Sequence, residues 1–315
     1  MNIELSQEAL EFGEAARQAL EAAGAAALVT EAEDQPARRE SIFGPVLAEL
    51  GAWQLDPRHD PDDLEAAAAL CRAAGYWCFA YPLAERLARP KDLDVDGLLV
   101  IDGARPAAAV AELDLRWATV TLDGQRGLVR SVRSDGPPRK TAYSASLEVS
   151  PVDEAPNPED RAKDLALALV LPCWTLLGQL DQAIDLTRSY VLVRKQFGQT
   201  LSAFQGVQFQ LTDAEVERSG VEMLAKYALW SIQAGRPEAA DDALALRMAA
   251  LEAAEVVFRV AHQLHGAMGF CDESTLSWLS RYSQPARRLP LGLSATRAAL
   301  TERIGRHGLT GLFND

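Results

Sequence analysis

RKQFGQTLSAFQ, residues 194–205, and QLHGAMGF, residues 263–270, are the two stretches of sequence that decide the fold. Each stretch follows a segment with helical apolar spacing, and a long helical segment lies between them. In the first stretch, the cation of Arg194 suits the negative end of a helix dipole, and Gly198 suits a left-handed helix terminus. Helix capping therefore explains Arg194 and Gly198, but it does not explain Phe197 between them.

The second stretch is a glycine-rich exit from a helix. Gly266 and Gly269 would allow a ligand or a neighbouring chain to approach closely. A glycine in this place is also a common helix cap, and His265 is equally suited to packing in a core. Each stretch alone is thus compatible with ordinary helix termination, whereas the pair also offers cationic and small residues suited to a phosphate-rich cofactor.

The C-terminal half of the chain has helical spacing almost throughout. Gly235, with Pro237 beyond it, is a helix stop signal, and Pro172 is expected to kink or interrupt the first of these helices. Four long helices with short connections predict an up-and-down bundle. The predicted helices cover residues 160–193, 203–234, 237–264 and 292–306.

In the N-terminal half, the spacing of apolar residues changes once, from a helical to a strand-like pattern. Residues 1 to about 90 have helical spacing, with Ser6 as the cap of the first helix and Pro82 as a break in the last. Short β-branched segments follow, and the pair Asp123-Gly124 predicts a hairpin turn among them. The predicted fold class is therefore mainly α with a small β-domain. The expected parts are an N-terminal helical domain, a truncated β-domain and a C-terminal four-helix bundle, at residues 1–92, 93–152 and 153–315.

Composition narrows the possible functions. With 315 residues, of which 48% are hydrophobic, the chain can build a sizeable core. A net charge of -14 disfavours nucleic acid and anionic membranes as partners. The N-terminus has neither the basic nor the apolar part of a secretory signal, and no window approaches the roughly 18–20 apolar residues of a membrane helix. The cysteines have no metal-ligand spacing and predict reduced core thiols of a cytoplasmic protein; they are Cys71, Cys78, Cys173 and Cys271.

The two stretches and the helix between them form a family pattern. R-K-x-F-G-x-x-L-x-x-F-Q, followed by A-H-Q-L-H-G-x-x-G-F, resembles the C-terminal helical domain of acyl-CoA dehydrogenases, and the resemblance covers residues 160–300. AELGAW and GYWCFAYPLAERLA resemble the family's first helical domain more loosely. The resemblance implies the fold of that family, with FAD as the cofactor.

The resemblance also implies a chemistry that this chain lacks the residues to perform. In the family, a carboxylate removes the α-proton of an acyl thioester while the β-hydrogen leaves as hydride to FAD. One family position for that carboxylate corresponds to residues 288–292, RLPLG, and the other falls near Ala168 and Leu169. Neither position holds an acid, and the β-domain lacks the family's flavin-holding segment. No catalytic residue is therefore expected in this chain.

The retained part is the one that serves a neighbouring subunit. In family dimers, the Arg and Gln of the two patterns bind the ADP half of the other subunit's FAD, and they correspond to Arg194 with Phe197 and to Gln263 with Gly266. Arg194 suits the pyrophosphate, Phe197 can cover the adenosine, and the bend at Gly266 permits close approach.

The resemblance therefore indicates a non-catalytic subunit of a heteromeric, FAD-dependent acyl-CoA dehydrogenase. The expected partner is a full-length homologue in an α2β2 heterotetramer, with acyl-CoA bound mainly by that partner, and short paired subunits of this kind resemble those of steroid catabolism. Two alternatives stay open. One is a self-sufficient enzyme with a relocated base such as Glu273 or Glu255, and the other is a structural helical scaffold without cofactor contact.

Overall fold

A computed structural model describes residues 2–133, 143–152 and 158–308. The fold is mainly helical with a small β region, so the predicted fold class is confirmed. Residues 134–142 of the predicted β-domain are not among the described residues. The predicted boundary after residue 152 falls at the start of a second such segment, residues 153–157.

Five helices form the N-terminal part. The side chain of Ser6 accepts a hydrogen bond from the amide of Ala9 at 3.3 Å, which confirms the predicted cap of the first helix. The predicted break near Pro82 is present, but the helix before it already ends at Tyr76 rather than continuing to the proline. The second helix was not predicted, because it follows the left-handed Gly24 directly and lacks a side-chain cap. The helices are α1 Gln7–Ala22, α2 Ala25–Asp34, α3 Arg39–Glu49, α4 Pro61–Tyr76 and α5 Leu83–Leu87.

A five-stranded sheet follows, with β1 Gly97–Ile101, β2 Ala107–Ala108, β3 Trp117–Thr121, β4 Arg126–Arg133 and β5 Ala145–Pro151. Its order is β1-β3-β4-β5-β2, with β1 and β3 parallel and the other pairs antiparallel. The predicted turn at Asp123-Gly124 joins β3 to β4, and Gly124 has a φ of 80°. Strands β1 and β3 pack on α6, and β1 also packs on α5, so this side of the β region shares its core with the helices.

The C-terminal part is built around α6 Pro158–Val193, α7 Gln205–Gln233, α8 Ala239–His265 and α11 Leu293–His307. Helix α6 packs on α7 and α8, and α8 packs on α11, as expected for the predicted bundle. Helix α6 continues through Pro172, so of the two effects expected of this proline, a kink or an interruption, the interruption is not present. Two short helices, α9 Thr275–Tyr282 and α10 Gln284–Arg288, were not predicted.

Helices α4 and α6 cross at a joint made by two glycines. A Cβ placed on Gly75 would lie 2.0 Å from the carbonyl oxygen of Thr175, and a Cβ on Gly178 would lie 2.0 Å from that of Arg72. Both distances are far below van der Waals contact. The N-terminal helices and the bundle therefore meet backbone to backbone at this joint.

A buried ion cluster joins all three parts of the fold. Asp164, at the start of α6, is fully buried between Arg58 of the N-terminal part at 2.7 Å and Arg126 of β4 at 2.5 Å. Asp92 also pairs with Arg126. Removing Asp164 would leave two buried cations without their shared partner.

Two sequence expectations need correction. By length and composition alone, residues Asp160–Val193 could cross a membrane, contrary to the expectation that no window would. In the fold, 78% of that window is buried, as in the core helix of a soluble protein. All four cysteines are free, but Cys271 is half-buried rather than a core residue.

Candidate functional site

The stretch RKQFGQT does not end a helix as a cap but forms a β-hairpin. Helix α6 ends at Val193, and β6 Lys195–Gln196 pairs antiparallel with β7 Gln199–Thr200. The two turn residues are Phe197, with a φ of 52°, and Gly198, with a φ of 83°. A two-residue turn with positive φ at both positions is the favoured hairpin connection. Helix termination by Gly198 was one of the interpretations left open by the sequence, and the structure does not have it, although the left-handed conformation of Gly198 was expected.

Phe197 is an unusual residue for its place. A bulky side chain at positive φ is a conformational outlier that costs on the order of 1 kcal/mol. The ring is 91% exposed, and among the described residues its aromatic contact is an edge contact with the ring of Phe204, at 6.3 Å between centroids. Neither folding nor packing of this chain accounts for an exposed, strained phenylalanine, so a contact outside the chain does so best.

The stretch QLHGAMGF is the end of α8 followed by a 3-10 turn over residues 266–270. Gly266 has a φ of 59° and a ψ of -140°, a conformation that is open essentially to glycine alone. Nothing lies within 4 Å of where its Cβ would be, so packing within the chain does not require a glycine there. Gln263, one turn earlier, is exposed.

The structure brings these two stretches together. The ring of Tyr190, in the last turn of α6, stacks on the ring of His265, with 4.5 Å between centroids. The imidazole is held in place because its Nδ1–H donates to the carbonyl of Ala261 at 2.9 Å. Burial lowers the pKa of His265, which keeps the stacked ring neutral near pH 7. We refer to residues 192–200 together with 263–270 as the open end of the bundle.

Arg194 is exposed at the open end, and its backbone is fixed on both sides. Its amide donates to the carbonyl of Tyr190 at 2.9 Å, and its carbonyl accepts from Leu201 at 2.8 Å. Its guanidinium forms no ion pair within the described residues. All four predicted cofactor residues, Arg194, Phe197, Gln263 and Gly266, are therefore exposed on two adjoining segments. A free guanidinium, an uncovered ring and an open glycine fit the pyrophosphate and adenosine of a dinucleotide.

The open end is also apolar. In the part of the chain that the structure describes, every large exposed hydrophobic side chain except Leu10 lies either at the open end or on α7. Those at the open end are Leu192, Val193, Phe197, Met268 and Phe270. Exposed apolar residues grouped in this way mark an interaction surface.

A second region, which we call the cleft, lies between the sheet and the bundle. It is a cavity of about 90 Å³ that is lined by Ala168 and Leu169 of α6 and by Leu289 and Pro290 after α10. These are the two segments that correspond to the family's alternative base positions, and the fold places them around one cavity. Neither segment supplies an acid there. The cavity is also well below the roughly 300 Å³ of an ordinary ligand pocket.

A buried arginine fixes the wall of the cleft. Arg247 of α8 is only 5% exposed, and its Nη2 donates to the carbonyls of Leu289 at 2.5 Å and Leu291 at 2.9 Å. Burial lowers the pKa of Arg247, and no carboxylate of the described residues pairs with it. Its hydrogen bonds hold the loop after α10 in the position where the family carries a base.

Glu85 is the one acid that lines the cleft within the described residues, and no sequence pattern around it indicated a site. It lies on the short helix α5 and is half-buried, and burial raises its pKa to about 7. The acids considered from the sequence, Glu255 and Glu273, are both exposed and do not line the cleft. Glu85 is buried because α5 packs on β1 and α6, and these contacts cannot be recognised from the local sequence.

Comparison with known proteins agrees with this geometry. The family model described as acyl-CoA dehydrogenase, C-terminal domain, matches residues 165–294. Acyl-CoA dehydrogenase FadE28 of Mycobacterium tuberculosis is 33% identical over 150 residues, which cover 47% of this chain and 43% of that protein. Acryloyl-CoA reductase (NADH) of Anaerotignum propionicum is 30% identical over 33% of this chain and 26% of that protein. The matched part thus spans less than half of these curated relatives.

Solved structures extend the likeness to the whole fold. A variant of the Tcur3481-Tcur3483 steroid ACAD superposes with a TM-score of 0.75 at 20% identity, covering 95% of this chain and 98% of that one. The ChsE4-ChsE5 complex from Mycobacterium tuberculosis gives 0.71 at 16% identity, covering 98% and 100%. The chain has an acyl-CoA dehydrogenase fold. The family resemblance found in the sequence is thereby supported by the C-terminal domain, by relatives and by the fold.

Proposed function

We propose that this chain is the non-catalytic subunit of a heteromeric, FAD-dependent acyl-CoA dehydrogenase. Its partner is a full-length homologue in an α2β2 heterotetramer, and that partner carries the base and most of the acyl-CoA site. The observation that carries the proposal is the contrast between the cleft and the open end. Both family base positions line a small cavity and neither supplies an acid there, whereas the residues suited to a neighbour's cofactor are exposed and free.

FAD, when bound, accepts the hydride that leaves the β-carbon of the acyl thioester. The role of this chain is to hold the ADP half of that cofactor. Arg194 donates charge-assisted hydrogen bonds to the pyrophosphate, and Phe197 covers the adenosine. Gln263 supplies a polar contact one turn before the bend at Gly266, where the bare backbone permits close approach.

Two of the similar structures support a heteromer, since their descriptions name two different proteins each. One of them is described as a steroid ACAD, and a steroid-derived CoA thioester is accordingly our substrate proposal. The four free thiols fit a reducing compartment such as the cytoplasm.

The test is co-expression of this chain with a full-length acyl-CoA dehydrogenase from the same organism, followed by measurement of flavin per complex after desalting. Arg194→Ala should weaken FAD retention by roughly ten- to hundredfold, because a hydrogen bond to a charged group contributes about 1.5–3 kcal/mol. The matched control is Arg188→Ala, an exposed arginine near the end of α6 that pairs with Asp185 at 3.5 Å. The control should retain FAD like the unmodified complex.

Two results would contradict the proposal. Stoichiometric FAD and acyl-CoA oxidation by this chain alone would make it a self-sufficient enzyme. Unchanged FAD retention in the Arg194→Ala complex would instead favour a structural scaffold without cofactor contact.

One observation keeps the self-sufficient enzyme as a second candidate, and that observation is Glu85. A carboxyl with a pKa raised to about 7 beside the cleft has the property required of a general base. If the chain alone proves active, Glu85→Gln should abolish that activity, whereas Glu255→Gln and Glu273→Gln should leave it unchanged.

A further inference from the structure

A second cavity lies among helices α1, α4, α6 and α7, and we call it the helical cavity. Trp174, Ile184 and Asp185 line it from α6, on the side of that helix opposite Ala168 and Leu169 of the cleft. Within the described part of the chain, it shares no lining residue with the cleft or the open end. Its volume of about 460 Å³ lies within the range of roughly 300–1,000 Å³ that is ordinary for ligand pockets.

Part of the wall of the helical cavity is apolar. Leu5, just before α1, Ala9 of α1 and Ala73 of α4 all line it and are buried. Leu10 also lines it but is 50% exposed. Among the described residues, Leu10 is the large exposed hydrophobic side chain that lies neither at the open end nor on α7. An apolar molecule in the cavity would remove this surface from water, which favours binding.

The charged side chains of the lining are paired with one another. Four arginines and four acids line the helical cavity. Each of these arginines forms an ion pair with one of these acids, at distances from 2.7 to 3.5 Å. Arg218, the most buried of the four, pairs with Glu215 at 2.7 Å and with Asp181 at 3.2 Å. The described lining therefore offers neither an unpaired cation for a phosphate or carboxylate nor an unpaired acid for an amine.

One buried polar group of the lining lacks a hydrogen-bond partner. Trp174 is fully buried, and its indole Nε1–H has no acceptor among the described residues. No other buried polar side-chain atom of the described lining is left without a partner. Buried N–H groups in native proteins are nearly always hydrogen-bonded, and an indole N–H can only donate. The missing group is therefore an acceptor that this part of the chain does not supply.

We propose that the helical cavity binds an uncharged, largely apolar molecule with an oxygen acceptor, a carbonyl or a hydroxyl, that bonds to the indole N–H of Trp174. The apolar body of this molecule lies against Leu5, Ala9 and Ala73. Paired charges around it leave no counter-ion for a charged ligand. The site is separate from the cleft and from the open end, so the inference goes beyond the proposed function and does not depend on it.

The first experiment tests the acceptor. Fluorenone and fluorene have the same three-ring skeleton, but only fluorenone carries a carbonyl. Fluorenone should bind the purified full chain about two- to tenfold more tightly, the factor expected of one net hydrogen bond. In Trp174→Phe the two compounds should bind equally. The matched control is Trp278→Phe, since the indole N–H of Trp278 already donates to the carbonyl of Asp272 and the residue does not line the cavity. Ligand-detected NMR titrations give the dissociation constants.

The second experiment fills the cavity and does not alter Trp174. Ile184 lines the cavity and is only partly buried, so a larger side chain there can occupy the space without displacing the core. Ile184→Trp should weaken binding of both compounds at least about tenfold, because it removes room for the ring system. The matched control is Ile304→Trp, at a partly buried position of α11 outside the lining, which should bind both like the unmodified chain. Circular dichroism confirms folding of each variant.

Four results would overturn the proposal. If neither compound binds, water alone occupies the cavity. If both bind but Ile184→Trp has no effect, they bind elsewhere, such as at the exposed apolar residues of the open end. If both bind in the cavity with equal affinity, Trp174 does not select an acceptor. If fluorene carboxylate binds more tightly than fluorenone, the paired arginines open to an anion and the ligand is charged. Should Trp174→Phe fail to fold, the unmodified chain and Ile184→Trp still distinguish these results.

Discussion

The cleft and the open end both include residues of α6 and α8, but their side chains are buried at the cleft and exposed at the open end. At the cleft, Ala168 and Arg247 are buried, and the cavity between them is small. At the open end, Arg194 and Gln263 are exposed, and the apolar residues around them are each at least half exposed. Packing therefore accounts for the cleft, whereas the open end is the surface at which we propose that a second molecule binds. Substitutions near the cleft should change stability, and substitutions at the open end should change binding.

The largest change in the free energy of unfolding is expected at the α4–α6 joint. Gly178 in this joint lies one turn from Thr175, which lines the cleft. In Gly178→Ala the new Cβ would lie 2.0 Å from the carbonyl of Arg72, so two helix backbones must separate. Overpacking costs typically 1–3 kcal/mol and occasionally more, and a backbone clash places this variant at about 3 kcal/mol or above. Urea unfolding of the chain measures the loss.

The chain offers a matched control for that variant. Gly220 is also inside a long helix, but its Cβ would meet nothing within 4 Å. Gly220→Ala should therefore stabilise the isolated chain by roughly 0.5–1 kcal/mol through helix propensity. Equal effects of the two substitutions would show that the joint is not as close as described.

The two regions also differ in how far the sequence predicts them. The start of the first helix at Ser6 was predicted because the signal of a side-chain cap is local. The hairpin at Phe197 was missed because a bulky residue is not expected at positive φ. Glu85 was missed because its burial depends on contacts of α5 with β1 and α6, which are distant in sequence. Local signals thus give the elements, and long-range packing decides which acid is buried.

A smaller change in stability is expected from Glu85, whose raised pKa makes the free energy of unfolding depend on pH. Its pKa is raised from the ordinary value of 4.5 to about 7 in the fold, so between these values the folded state binds more protons than the unfolded state. Stability must then fall as pH rises from about 4.5 to about 7. Glu85→Gln should be more stable than the unmodified chain at pH ~8, on the order of 3 kcal/mol, and close to it near pH ~4.5.

Urea unfolding of both proteins across this pH range isolates Glu85, since all other titrating groups cancel in the difference. Glu255→Gln, at an exposed position of α8, should follow the unmodified chain at every pH. A Glu85→Gln profile parallel to that of the unmodified chain would mean that the carboxyl is well solvated, and the cleft would then be more open than described.

The smallest expected effect is at the turn of the open end. Asparagine tolerates positive φ better than phenylalanine, so Phe197→Asn should relieve strain and stabilise the isolated chain by up to about 1 kcal/mol. The lost edge contact with Phe204 offsets part of that gain. In the co-expressed complex the same substitution should weaken FAD retention, because the ring that covers the adenosine is removed. Thermal unfolding measures the expected gain in stability of the isolated chain, and flavin content measures the expected loss of FAD from the complex. A phenylalanine that lowers the stability of its own chain but strengthens FAD binding in the complex has its role in the complex. If Phe197→Asn instead lowers stability and leaves the flavin content unchanged, Phe197 has its role in the fold.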